Sequence, residues 1–162
     1  MRRLIALALF LGLLAGCGRT PVQQQEAYVF GTRVEVLVVA ADPTTARTAI
    51  AAVLREFDRL HRAYHAWQPS ELTALNEAIA AGRKDIPVSP ELAAMLTDAK
   101  AIAATGDELF DPALGALIAL WGFHTDTFKA VTPDPAKLAA TIAAHPQMAD
   151  LSIAGDRVTS RN

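Results

Sequence analysis

A chain of 162 residues, 52% of them hydrophobic, is long enough to bury one compact core, and its 15 basic and 17 acidic side chains leave a formal charge of −2. No basic stripe or run stands out from that balance, which speaks against nucleic-acid binding. A single cysteine excludes an intramolecular disulfide framework.

Taken in order, the chain begins with Arg2 and Arg3, an apolar run over residues 4–14, and then Leu-Ala-Gly-Cys at 14–17. The run is too short to span a bilayer and has the shape of a secretory leader. A small-residue site followed at once by Cys17 resembles the bacterial lipoprotein box. That resemblance implies a signal peptide over 1–16, cleavage after Gly16 and lipidation of Cys17 (palmitate among its acyl groups). The mature chain would then be tethered to a membrane outside the cytoplasm, facing the periplasm. Acyl burial contributes about 0.8 kcal/mol per CH₂, so several chains on one cysteine anchor firmly. Losing Arg2 and Arg3 takes the formal charge from −2 to −4. The other readings of Cys17 are a free thiol behind a plain cleaved leader, or a buried core cysteine. Polar residues up to 25 read as a short tether, so residues 17–27 are expected to precede the folded part.

Residues 28–40 set Val34, Val36 and Val38 against Arg33 and Glu35 and then turn continuously apolar. The pattern predicts one strand, with one face buried early and both faces buried later. Gly31 allows a bend or a close backbone approach. Asp42-Pro43 predicts a helix to about residue 64, with Ala46, Ile50, Val53, Leu54, Phe57 and Leu60 on one face. His61 and His65, four apart, would suit a metal. No acidic residue is set between them as a metalloprotease needs, and a solvated or hydrogen-bonded pair is the reading adopted. Pro69 breaks the helix, and Ser70 caps another over 71–81 with Leu72, Leu75 and Ile79 inward. Glu71 in its first turn suits the helix dipole without any catalytic role.

Residues 85–88 predict a short strand. Ser89-Pro90 opens a helix with Leu92, Leu96, Ala99, Ile102 and Ala103 on its buried face, ending near Thr105-Gly106. Asp111-Pro112 repeats the cap-plus-proline start, and the almost wholly apolar residues 113–121 predict a buried helix with Trp121 in the core. Residues 123–132 are a polar loop, Asp134-Pro135 opens a helix that ends before Pro146, and residues 151–162 read as a hairpin turning at 154–156. No repeat, low-complexity run or dividing linker is present. No G-x-S-x-G, P-loop, zinc spacing or catalytic cysteine appears either. From residues alone, this is an exported α+β domain with an aromatic-and-carboxylate-lined pocket candidate, where generic physics by itself says only core helix.

Three segments sharpen that reading. VFGTRVEV at 29–36, PSELTALNEA at 69–78 and LFDPALGALIALWGF at 109–123 resemble, in order and spacing, segments of the ApbE family of FAD:protein FMN transferases. The family counterparts are the "MGT" strand, the "SELsxLN" segment and "FDPTVGPLVxLWGFG". The resemblance implies an α+β fold, a single ApbE-like (T-fold-like) domain with helices packed on a mainly antiparallel sheet. Residues 28–162 would be its N-terminal part, with the C-terminal half absent. It implies transfer of FMN from FAD to a Thr or Ser hydroxyl of an exported protein, releasing AMP, with Mg²⁺ at the pyrophosphate. Family members usually sit on the outer face of the inner membrane. Gly18 in place of an Asp leaves the choice of membrane open.

By the same resemblance, Phe30 takes the place of a flavin-contacting Met, the bland alternative being a core Phe at a strand bulge. A flavin-contacting Tyr corresponds to Trp67 if the loop is one residue short, or to Ala66 if it is not; only Trp67 offers a stacking face. Leu109 and Phe110 would supply a wall and backbone polar groups. Asp111 would accept hydrogen bonds from the nucleotide while capping its helix, since a carboxylate has two oxygens. The family's metal ligands would follow Asn162, so no catalytic or metal-binding residue is assigned, and this piece alone is expected not to transfer flavin. The alternatives are a non-catalytic periplasmic flavin-binding lipoprotein and a structural lipoprotein whose helices pack on a partner.

Overall fold

The structure, a computed structural model, describes residues 21–107, 109–127 and 130–162. The signal peptide expected over 1–16 and the lipidation site at Cys17 lie outside these residues. The chain divides into two compact units, one up to Asp58 and one from Arg59 to Asn162. Their boundary falls inside a helix, which is why no linker composition marks it and why a single undivided domain is expected from sequence. Among the described residues, no helix is long and apolar enough to cross a membrane.

The first unit opens with a β-hairpin, β1 (Val22–Val29) and β2 (Thr32–Val39), paired antiparallel from Val29↔Thr32 out to Val22↔Val39. Two expectations are corrected here. Residues 22–27, expected as tether, are strand, and residues 28–40 are not one strand but the end of β1, a turn and β2. The turn is Phe30-Gly31, with φ of 56° and 70°. Positive φ at both central positions is the type I′ geometry that matches the twist of a two-residue hairpin. Gly meets it freely, whereas a bulky residue there costs roughly 1–2 kcal/mol. The Phe30 ring is 5.9 Å from that of Phe57, edge to face. Val34, Val36 and Val38 are half-buried opposite Ala27, Gln25 and Gln23, but Leu37 and Val39 are exposed, so the strand is not buried on both faces.

Helix α1 (Pro43–Ala63) starts where Asp42-Pro43 places it: the Asp42 carboxylate accepts from the amides of Thr44 and Thr45 and from the Thr45 hydroxyl. Ala46 and Ile50 are buried on its inward face.

The second unit contains α2 (Glu71–Ala80), β3 (Ile86–Pro87), α3 (Pro90–Thr105), α4 (Gly115–Leu120), α5 (Pro135–Ala144), β4 (Leu151–Ala154) and β5 (Arg157–Ser160). Its sheet is antiparallel throughout, in the order β3-β5-β4, and β4 and β5 form the expected hairpin around Gly155 (φ 61°). Leu75 and Ala78 of α2, Leu92 of α3, Ile86 of β3 and Val158 of β5 pack together as its core. The helix starts are built as read. Ser70 accepts from the Thr73 amide in a capping box, Ser89 from Leu92, and Asp134 from Lys137. Glu71 reaches from the first turn of α2 to the start of α3, accepting from the Ser89 amide and hydroxyl.

The segment after Asp111 departs from expectation. Pro112–Leu114 is a 3₁₀ turn and α4 has only six residues, none fully buried; Trp121 is 46% exposed rather than in the core. An unbroken apolar run gives no periodicity by which to tell a buried helix from an exposed one. Ile102 on α3 is likewise exposed, while its neighbour Ala103 is buried.

Three carboxylates sit below their ordinary values. Arg59, and then Tyr64, hydrogen-bond Glu91 and lower it; Arg157 does so for Asp85; the Thr45 hydroxyl and the Thr45 and Thr44 amides do so for Asp42. A folded-state value below the unfolded one contributes stability that is present above the ordinary 4.5 of Glu or 3.8 of Asp, and lost as pH falls through the depressed value. The melting temperature should therefore hold from neutrality to about pH 5 and fall below it. Glu91→Gln should flatten that acid limb; an unchanged limb would show that the Arg59 pair contributes nothing.

Candidate functional site

All but one of the candidate side chains lie in the second unit, the exception being Phe30, 48% exposed on its hairpin turn in the first. The loop after α1 is organised by His65, which is buried. Its Nδ1 accepts the amide N–H of Trp67 at 3.3 Å and of Gln68 at 3.1 Å, so the neutral ring carries its hydrogen on Nε2. Ser70 donates to the His65 carbonyl at 2.7 Å, pinning the loop from its other end. The rings of His61 and His65 are 4.7 Å apart. The Nδ1 of His65 is engaged by backbone, and among the described residues no three His, Cys, Asp or Glu come together as metal donors.

This loop presents Trp67, half-buried, with its edge and face both in use. Its Nε1–H donates to Asp126 Oδ1 at 3.1 Å, and Gln68 Nε2 donates to the other oxygen, Oδ2, at 3.0 Å. The imidazole of His124 lies stacked on the indole, centroids 6.0 Å apart with planes 30° from parallel, while His65 meets the indole edge-on at 4.6 Å. His124 Cε1 lies 4.0 Å from where a Cβ on Gly115 would stand. Trp67 is thereby brought, through His124, next to the first turn of α4, four residues beyond Asp111. Ala66, the alternative position, is half-buried.

At the 109–111 corner, Leu109 is 94% exposed and Phe110 is also exposed. The Asp111 carboxylate caps the 3₁₀ turn, Oδ1 accepting the Ala113 amide at 2.8 Å. It also accepts the amide of buried Met148, at 3.2 Å on Oδ1 and 2.9 Å on Oδ2. The residue read as a cap is thus also a clamp on the turn that leads into β4. Behind it lies a cleft of about 190 Å³, lined by Asp111, Leu114 and Leu117 on one side and by Thr141, Ile142 and His145 on the other. Pockets that enclose drug-sized ligands run to about 300–1,000 Å³, so this cleft is too small to hold a dinucleotide.

Sequence reasoning missed His124 and Asp126, taken as polar loop, and the Met148 amide as a partner for Asp111. The only local hint was an imidazole and a carboxylate two apart, just after a run ending in Gly122-Phe123.

This mixture of helices and antiparallel strands is matched in solved structures of ApbE proteins. Against the crystal structure of the ApbE protein of Thermotoga maritima the TM-score is 0.72 at 21% identity, covering 88% of this chain and 45% of that one. Against apo flavinyl transferase ApbE of Pseudomonas stutzeri it is 0.67 at 19% identity, covering 89% and 48%. At such identities the likeness speaks for the fold alone. In sequence, the chain is 41% identical over 162 residues to a protein of Rhodobacter capsulatus named FAD:protein FMN transferase, covering 96% of this chain and 31% of that one. A protein of the same name from Chlamydia trachomatis serovar D is 35% identical over 86 residues, covering 52% and 27%. The family model described as the ApbE family matches residues 30–162. The chain belongs to the ApbE family, and spans less than a third of the curated relatives it matches and just under half of the solved chains.

Proposed function

We propose that this chain is the N-terminal part of a FAD:protein FMN transferase and supplies much of the grip on FAD. The observation that carries this is the 41% identity, over 96% of the chain, to the Rhodobacter capsulatus protein of that name. In the reaction a Thr or Ser hydroxyl oxygen of an exported acceptor protein attacks the FMN phosphorus. A new P–O bond forms, the pyrophosphate P–O bond breaks, AMP leaves, and the hydroxyl proton passes to a base. Such a step relies on positioning and charge neutralisation. Phe30 and Trp67 would stack on ring systems, Leu109 and Phe110 would wall the nucleotide, and an Asp111 oxygen would accept from it while keeping its two amides. Mg²⁺ has no donor set among the described residues, and we assign its ligands to the family length outside this chain. Lipidation at Cys17 would hold the enzyme on the periplasmic face of a membrane, where exported acceptors are met.

The test is incubation of the full-length protein with FAD, Mg²⁺ and a Thr-bearing acceptor. A fluorescent flavinylated band is expected, and none from the 162-residue chain alone. Trp67→Ala should weaken FAD binding roughly tenfold, as loss of a base–aromatic stack does; unaltered binding would remove Trp67 from the site. Phe30→Asn is expected to leave stability within about 1 kcal/mol, since relief of the left-handed strain offsets loss of the Phe57 contact. The same change should weaken FAD binding. A bulky ring kept where Asn fits better is a mark of function, and unchanged binding would refute it for Phe30.

A further inference from the structure

His124 occupies a place beside Trp67 and Gly115. Its imidazole centroid is 6.0 Å from that of the indole, and its Cε1 lies 4.0 Å from where a Cβ on Gly115 would stand. The imidazole filling that place is itself a planar nitrogen heterocycle. The segment carrying it is held down two residues later by Asp126, whose two oxygens take the side-chain N–H groups of Trp67 and Gln68 at 3.1 and 3.0 Å. These bonds are made at the indole edge, so the strap of residues 123–127 keeps His124 over the ring face without using that face for anything else.

We propose that the place His124 holds beside Trp67 and Gly115 is the seat of a planar ring of the flavin nucleotide, and that His124 is a placeholder which this ring must displace. The inference rests on the reading of the chain as a FAD-binding half, and adds to it a gate and a residue that sets affinity. An imidazole covers less of the indole than a purine or a tricyclic flavin does, so the larger ring wins the exchange by apolar area. The Asp126 tether keeps His124 close enough to return when the ring leaves. A seat filled by its own chain lowers apparent affinity in proportion to the fraction of time it is filled. The gate therefore lets product escape and disfavours small ring compounds that cannot match the imidazole's local concentration.

The test is FAD binding to the full-length protein, by fluorescence anisotropy and stopped flow. His124→Ala empties the seat and should tighten FAD about three- to tenfold, with a faster association rate. Asp126→Ala, which loosens the strap without entering the seat, should shift affinity in the same direction by less. His124→Phe refills the seat with a ring and should bind FAD no better than the wild type. Wild-type binding accompanied by unchanged or weaker binding in both His124→Ala and Asp126→Ala overturns the placeholder while leaving the functional reading intact. If neither the wild type nor any variant binds FAD, the functional reading falls and takes the placeholder with it.

Discussion

Asp111→Ala should lower the stability of the unit from Arg59 to Asn162 by about 3 kcal/mol, as read from its denaturation midpoint. The carboxylate holds the Ala113 amide at 2.8 Å and the Met148 amide at 2.9 Å. Loss of a helix cap costs about 1 kcal/mol, and loss of a hydrogen bond to a charged group about 1.5–3 kcal/mol. The second figure belongs at its upper end, because Met148 is buried and its amide is left without an alternative. Asp111→Asn keeps one acceptor oxygen and should lose about half as much. It also separates the two proposed duties of this residue. If the carboxylate meets nucleotide as well as backbone, folded Asp111→Asn protein will bind FAD more weakly; full affinity in that variant would confine Asp111 to structure. A loss below about 1 kcal/mol in the alanine variant would show that the Met148 clamp contributes little.

The second large effect is in the core. Leu92 is 1% exposed and packs with Leu75, Ala78, Ile86 and Val158, joining both helices to the sheet. Leu92→Ala should cost about 2–5 kcal/mol, the transfer term of the lost side chain plus the cavity it leaves. Ile102→Ala on the same helix should cost only about 0.5 kcal/mol, because that side chain is more than half exposed. Equal losses at the two positions would mean that Ile102 is covered in solution by something beyond the described residues.

Ile102 also illustrates where the sequence can be read and where it cannot. Most helix starts were legible because their cause is local: Asp42, Ser70, Ser89 and Asp134 each cap amides within a few residues, as Asp111 does for the 3₁₀ turn before α4, and all of these but Ser70 precede a proline. The β4–β5 hairpin was legible through Gly155. What failed depends on contacts distant in sequence or on unusual turn chemistry. Phe30-Gly31 is not a dipeptide that announces a type I′ turn, so a hairpin passed for a single strand. The run over 113–121 announces apolar character but not what covers it. At the candidate site, Trp67 and Asp111 could be named from the segments they occupy. The His124 stack and the Asp126 bridge join residues nearly sixty positions apart, and no local pattern encodes such a pairing.

Glu71 holds one further implication. Two helix amino-termini, each carrying partial positive charge, would repel at close quarters, and one anion set at their meeting point lets both approach. The seam between the starts of α2 and α3 is therefore held in part by charge, and the bonds from Ser89 to Glu71 weaken in concentrated salt. Since α2 begins only four residues after Trp67, the loop that carries the indole runs directly into a helix start that Glu71 ties to α3.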